Sequence, residues 1–254
     1  MSAVMFLKRG IHAMNKEEEF QITVKQIKDA IYQYISAEMN CTVGDLYSDG
    51  IRFIRDPNKK EPYIKFLSIY DADIVTVSDD VFEKISGELS GSNRDELYEC
   101  IYVFGQTLHY IPDLRKMTLL PYPDEFSFEL LADREVHELE GIKGFDNSLA
   151  FDENGHTATC IVIYAKDKEK IVGLAGASFE NEELREVGVD VLKEYRGKNL
   201  ASLLVRNLTV EILKLGKIPF YSASVTNIGS QAVAIRSGYM PLWTDSFGVR
   251  TEVL

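Results

Sequence analysis

Residues 196–202 read Arg-Gly-Lys-Asn-Leu-Ala-Ser, and they join a short apolar strand pattern over 186–192 to a long amphipathic helix pattern. A strand, a turn and a helix start make a place for an anion. The first backbone N–H groups of a helix lack intrahelical partners, and the macrodipole adds partial positive charge there. A phosphate or diphosphate is therefore favoured. Gly197 lets the backbone approach a ligand closely. Arg196 and Lys198 add local positive charge to a chain whose net charge is -12. Arg206 lies farther along the helix and contributes only to the field. The Walker A pattern GxxxxGK[ST] and the dinucleotide pattern GxGxxG are both absent. A plain solvated turn carrying a surface Arg and Lys stays open as the alternative for these residues alone.

The strand before the turn carries a second feature. A period of two puts Glu186, Gly188 and Asp190 on one face. Paired carboxylates on an otherwise apolar strand are unusual, and burial of one would raise its pKa. Taken singly, Glu186 also fits a solvated strand end and Asp190 a turn cap. Other chemistries find no support. The four histidines, His12, His109, His137 and His156, form no HExxH or spaced cluster, so no metal site is expected. No GxSxG elbow occurs, and no Cys–His pairing suggests a covalent cysteine mechanism.

Ahead of the turn, two regions differ in pattern. Phe20, Val24, Ile27, Ile31 and Tyr34 share one face of a helix expected over 17–39. Strands are expected at 51–54, 63–70 and 74–77, with a helix over 79–88 capped by Ser78 and another over 94–104. Three of the seven prolines, Pro112, Pro121 and Pro123, fall within 112–124, which reads as a linker. Beyond it come a strand at 126–131, a helix from Asp133 to Leu139, a hairpin of 158–165 with 171–179, and the 186–192 strand. The helix after the turn lines up Leu200, Leu204, Leu208, Ile212 and Leu215, with Gly216 as its C-cap. A strand at 218–225, a turn at 226–229, a short helix at 230–237 closed by Gly238, and a strand from Tyr239 complete the chain. The resulting division is a flexible extension over 1–15, a smaller α+β domain over 16–120, and an α/β domain over 121–254.

The totals exclude some partners. A length of 254 residues and 45% apolar content suit one or two globular domains. The acidic balance argues against nucleic acid. No apolar run reaches membrane-spanning length, and the first residues lack the order of a signal peptide. Three widely spaced cysteines, Cys41, Cys100 and Cys160, suggest reduced thiols and a cytoplasmic location.

The order of strands and helices over 126–254, with Arg196-Gly197-Lys198-Asn199-Leu200-Ala201 after the fourth strand of that region, resembles the GNAT superfamily of N-acetyltransferases, in a bacterial branch with an additional N-terminal domain. The loop follows the pattern Q/R-x-x-G-x-G/A except at Asn199. Asn227, Ser230, Gly238 and Tyr239 fit a second pattern, an Asn followed by a small residue and a short helix ending in Gly plus an aromatic. The resemblance implies an α/β fold with a GNAT-like mixed central sheet flanked by helices. It implies acetyl-CoA as cosubstrate, with the diphosphate on the amides of 197–202 (Ser202 included) and the pantetheine paired with the backbone near Val189 and Val191. Asn227 would reach the pantetheine, and Ser230 would cap the short helix or touch the cofactor. The implied reaction is direct acetyl transfer to a primary amine on a small molecule or peptide, with Glu186 and Asp190 as candidate bases. A homodimer is compatible with it.

Two departures from the family pattern matter. Asn199 replaces the second glycine of the loop. Asn tolerates positive φ, so the turn is expected to survive. Ala234 stands where many members carry a proton-donating Tyr, and Tyr221 and Tyr239 nearby read as packing aromatics. A non-catalytic CoA-binding scaffold or sensor is the alternative function.

Overall fold

The chain folds as a mixed α/β protein, and a computed structural model describes residues 20–59 and 61–254. The helices and strands run α1 (Val24–Glu38), β1 (Gly50–Asp56), β2 (Ile64–Ile69), β3 (Ala72–Ser78), α2 (Phe82–Glu88), α3 (Arg94–Glu99), β4 (Val103–Pro112), β5 (Ser127–Ala132), β6 (Thr159–Asp167), β7 (Lys170–Phe179), β8 (Leu184–Val191), α4 (Leu200–Lys214), β9 (Ile218–Ser224), α5 (Ile228–Arg236) and β10 (Tyr239–Val249). The extension expected over 1–15, and residues 17–19 of the first expected helix, lie outside the described residues. α1 begins at Val24 rather than earlier.

Two compact units share the chain with interleaved segments, whereas the sequence places one division at 120/121. One unit collects Lys25–Tyr110, Ser222–Gln231 and Pro241–Leu254; the other collects Ile111–Tyr221 and Ala232–Met240 with residues 20–24.

In the first of these units, β1 and β3 run parallel. β2 is antiparallel to β3, and β10 is antiparallel to β2 through Trp243–Ile69, Thr244–Ser68 and Asp245–Leu67. Every β3 residue is buried, as expected of a strand covered on both faces. Phe66, Val75, Ile85, Leu97 and Tyr102 centre one core. Two local expectations are corrected here. Ser78 ends β3 instead of capping a helix: its hydroxyl accepts the Tyr63 N–H at 2.9 Å and donates to Asp80 at 2.6 Å. The helix expected over 94–104 stops at Glu99, although Asn93 and Glu96 form a capping box at its start. Val103, Thr107, Tyr110 and Ile111 favour a pleated, half-buried surface, and β4 takes them.

In the other unit β5, β6, β7 and β8 form consecutive antiparallel pairs, and β9 adds parallel to β8. α4 covers one face. Its Leu200, Leu204, Leu208 and Ile212 are at most 4% exposed, whereas Leu215, at the C-cap, is exposed. The opposite face carries Leu131, Val136, Leu139, Phe145, Val162 and Leu174. The 133–139 helix is a 3-10 helix begun by Ala132, with Asp133 itself at φ 53°.

The segment 112–124 is no free linker. Asp113 donates its N–H to the Gly238 carbonyl at 3.0 Å, Met117 is buried, and the fully buried Asn207 of α4 brackets the Leu120 backbone. Asn207 accepts the Leu120 N–H at 2.8 Å and donates to its carbonyl at 2.9 Å. A buried amide so paired avoids the cost of an unsatisfied polar group.

Candidate functional site

The β8–β9 ladder is short. It runs from Leu184–Ile218 to Val187–Tyr221 and ends there, four residues before β8 does. Ile218 N–H donates to the Glu183 carbonyl, and Leu192 N–H donates to Val172 on the β7 side. Backbone groups alternate sides along a strand, so those of Val187, Val189 and Val191 point toward the β9 side. The Val191 carbonyl is taken by Arg196 Nε at 2.8 Å. Val189 lies past the end of the ladder. Its backbone is therefore placed to pair with an extended ligand, as the sequence resemblance implies for this strand.

The side chains of β8 divide between two faces. A Cβ built on Gly173 would meet Leu200, Leu204 and Val191 at 3.0–3.3 Å, and Gly173 pairs with Val191. Val189 and Val191 thus share the α4 face, and Glu186, Gly188 and Asp190 the other. On that other face Gly188 pairs with Gly176, and the backbone of Asn147 and Ser148 rests on this two-glycine floor. Asp190 fastens the loop. Its Oδ2 accepts the N–H of Asn147 (2.9 Å), the N–H of Ser148 (3.0 Å) and the Ser148 hydroxyl (2.8 Å), and its Oδ1 accepts the Asn147 amide (2.7 Å). Four donors at one carboxylate make Asp190 an anchor. Glu186 lies on the same face and is half-buried.

The turn after β8 has the geometry an anion requires. Residues 193–195 make one 3-10 turn. Gly197 follows at φ 82° with open space around it, and Asn199 adopts φ 61°, ψ 10°, the left-handed conformation anticipated for it. The Asn199 side chain forms no cap, so it leaves the first-turn N–H groups of α4 to other acceptors. These groups open onto a cleft of about 410 Å³ lined by Lys198, Asn199, Leu200, Ser202, Leu203 and Arg236, with the 120–126 segment as its far wall. Lys198 Nζ lies 5.8 Å from the Phe126 ring centre and 3.9 Å from Glu125. Arg236 Nε donates to Ser202 Oγ at 3.3 Å. An uncapped helix start and two cations suit a diphosphate.

Arg196, Gly197, Lys198, Asn199, Leu200, Ala201 and Ser202, with Val189 and Val191, thus lie together in one unit. Asn227 and Ser230 belong to the other. There Asn227 begins α5: its Oδ1 accepts the Ser230 N–H at 3.0 Å, and its carbonyl accepts from Gln231 at 3.1 Å. Ala234 is fully buried. Tyr239 is buried too, bonded to Thr209 Oγ1 at 2.7 Å and packed against Tyr221; burial pushes its phenol pKa up. Arg206 ties α4 to the carbonyls of Lys116 and Ser237.

Sequence reasoning missed Arg236 and the 120–126 wall. The wall's signal is Asn207, a polar residue inside the apolar α4 helix that pairs with the Leu120 backbone. Among the described residues no cluster of metal-ligating side chains occurs, and no helix is long and apolar enough to cross a membrane.

No curated protein matches the sequence. Among solved structures, similarity extends to a GNAT-family protein of Novosphingobium aromaticivorans (18% identity, TM-score 0.45, 56% of this chain and 63% of that one). It extends also to a GCN5-related N-acetyltransferase-like protein of Streptococcus suis (18%, 0.42, 70% and 71%), and to a GCN5-related N-acetyltransferase of Kribbella flavida (18%, 0.41, 57% and 57%). The chain thus spans less than two thirds of the Novosphingobium and Kribbella structures. The family profile of the acetyltransferase (GNAT) family matches residues 112–239, half of the chain, and with it the loop, the uncapped helix start and the α5 turn. The chain belongs to the GNAT acetyltransferase family.

Proposed function

We propose that the protein moves an acetyl group from acetyl-CoA to a primary amine on a small molecule or peptide by direct attack. The observation that carries this reading is the uncapped N-terminus of α4, opened by left-handed Asn199 onto a cleft that Lys198 and Arg236 line. In this reading the amides of 197–202 hold the diphosphate, and the two cations neutralise part of its charge. The backbone of Val189 pairs with the pantetheine arm. Asn227 and Ser230, which shape the α5 turn, are assigned to the pantetheine as well. Bound acetyl-CoA supplies an activated thioester carbonyl. A neutral amine is the competent nucleophile, so a proton must leave the ammonium first. Asp190 spends its lone pairs on the 147–148 loop, which leaves Glu186 as the β8 carboxylate that offers the ammonium a counter-charge. Three free cysteines are consistent with a reducing cytoplasmic setting.

A second reading rests on Ala234. A buried methyl cannot donate a proton to a leaving thiolate, and Tyr239 is committed to packing. A CoA-binding protein without turnover fits that feature.

A thermal-shift titration with acetyl-CoA, CoA and ATP tests the first step, because a ligand of the folded state raises the melting temperature with its affinity. The expected result is a shift with both CoA species, larger than with ATP and reduced in Lys198→Gln and Arg236→Gln. No shift at saturating acetyl-CoA overturns the proposal. Binding without thiol release on a panel of primary amines selects the second reading.

A further inference from the structure

The cleft at the start of α4 is larger and less polar than a diphosphate alone requires. Its volume, about 410 Å³, falls in the range of about 300–1,000 Å³ typical of small-molecule sites. Its lining lies within Ile111–Tyr221 and Ala232–Met240, segments of a single unit. One wall is the α4 start with Lys198 and Arg236. The other is apolar and belongs to Leu120, Pro123 and Phe126. Among the described residues, none of β8 lines it.

Phe126 is held in place by other rings. Phe128 meets it edge-to-face, with centres 6.3 Å apart and planes at 88°, and Tyr195 lies 6.1 Å away at 64°. Tyr122 packs on Phe128 at 4.4 Å. The Tyr195 hydroxyl donates to Asp167 at 2.8 Å, and the Asn207 amide grips the Leu120 backbone. A wall so fixed loses little freedom when a ligand arrives. One movable group lies over the Phe126 ring. Lys198 Nζ is 5.8 Å from its centre and 5.9 Å from that of Tyr195, with Glu125 3.9 Å away. The Lys198 side chain is 51% exposed, so it can swing. A ring face attracts a cation through its quadrupole, and it also stacks with a nucleobase. The face that holds the ammonium is thus one that accepts a base.

The covalent order of acetyl-CoA decides which part of it reaches this wall. The diphosphate joins the pantetheine arm to a phosphorylated adenosine. With the pantetheine along Val189 and the diphosphate on the α4 amides, the nucleoside continues into the cleft. We propose that Phe126 is the residue by which this site recognises the purine: the base stacks on the Phe126 ring, displaces Lys198 from it, and frees that ammonium for the phosphates. This inference rests on the acetyl-CoA reading and deepens it. Its consequence is a choice of acyl donor. A thioester that carries a purine nucleotide gains the stack. A thioester on bare phosphopantetheine, free or attached to a carrier protein, has no base to place there and leaves Lys198 over the ring.

The test uses the full chain and two probes, acetyl-CoA and acetyl-phosphopantetheine, with Kd read by calorimetry. Phe126→Leu keeps an apolar side chain and removes the ring. It is expected to weaken acetyl-CoA about 10-fold and to leave acetyl-phosphopantetheine unchanged, whereas Phe126→Tyr binds both as wild type does. The cycle separates the stack from the phosphate contacts, and melting temperatures without ligand show that each variant is folded. A second readout needs no variant. In wild-type protein labelled with ¹³C-phenylalanine, the Phe126 ring is expected to show nuclear Overhauser contacts with the adenine protons of bound acetyl-CoA. Contacts with the pantetheine instead, or none with the base, overturn the inference. So do an unchanged acetyl-CoA affinity in Phe126→Leu and an equal weakening toward both probes; in each of these cases acetyl-CoA still binds and the parent reading stands. No binding of acetyl-CoA by the folded wild-type protein overturns the parent reading and this inference with it.

Discussion

Gly176 and Gly188 stand opposite each other in the β7–β8 ladder, and a methyl group on either would overlap a backbone carbonyl of the 147–148 loop. The Ser148 carbonyl lies over Gly176 and the Asn147 carbonyl over Gly188. The loop can lie flat on the sheet only because two side chains are missing beneath it, and Asp190 on the same strand then holds it down.

This floor predicts the effect of adding a methyl. Gly176→Ala and Gly188→Ala should each destabilise by about 1–3 kcal/mol, because overpacked backbone must move as a unit. Urea unfolding midpoints check this. A midpoint equal to wild type for both variants would mean that the loop is not seated as described.

The latch makes a separate prediction. Asp190→Ala removes the acceptor of four donors and should cost about 2 kcal/mol, the range for hydrogen bonds to a charged group. Amide exchange at Asn147 and Ser148 should accelerate. Asp190→Asn keeps one accepting oxygen and should lose less. If Asp190 acted only as a base, exchange at these amides would not change.

At the turn before α4, Asn199 holds φ 61°. Replacing it with Ala should cost about 1 kcal/mol of backbone strain, and Asn199→Gly should relieve that strain. The paired melting temperatures decide it: Gly at or above wild type, Ala below. Acetyl-CoA affinity should follow the same order, because the turn aims the α4 amides.

Asp113 gives the pH dependence. The Arg115 guanidinium, donating to both carboxylate oxygens at 2.9 and 3.0 Å, holds its pKa down at about 2 against the effect of burial. A carboxyl with a lower pKa in the folded state stabilises fully above its unfolded value, near 3.8. That stabilisation fades as pH falls toward 2. Thermal melts between pH 5 and 2 should show a steeper loss in wild type than in Asp113→Asn. Parallel curves would remove Asp113 from the acid transition.

Much of the segment from β8 through α4 was legible in the chain, for a local reason. The order of strand, turn and helix, the left-handed Asn199, the α4 stripe and the left-handed Gly216 just past the α4 C-cap depend on neighbours a few residues apart. Periodicity and conformational preference act at that range. β4 escaped because its apolar residues are broken by Gly105 and His109, so only its partners in space make it a strand. The 112–124 segment looked like a linker because prolines mark loops, while the contacts that seat it come from Asn207 and Gly238, about ninety residues and more away.

Sequence by itself determined the family, the strand–turn–helix around Asn199 and the face shared by Glu186, Gly188 and Asp190. Only the tertiary structure decided what those groups do. It handed Asp190 to a loop more than forty residues earlier, brought Arg236 to Ser202, and joined His109 to Ser222 and Asp245 across 113 and 136 residues. A side chain's chemistry is set by the donors and charges within about 4 Å of it. When those come from distant strands, no spacing in the chain announces them.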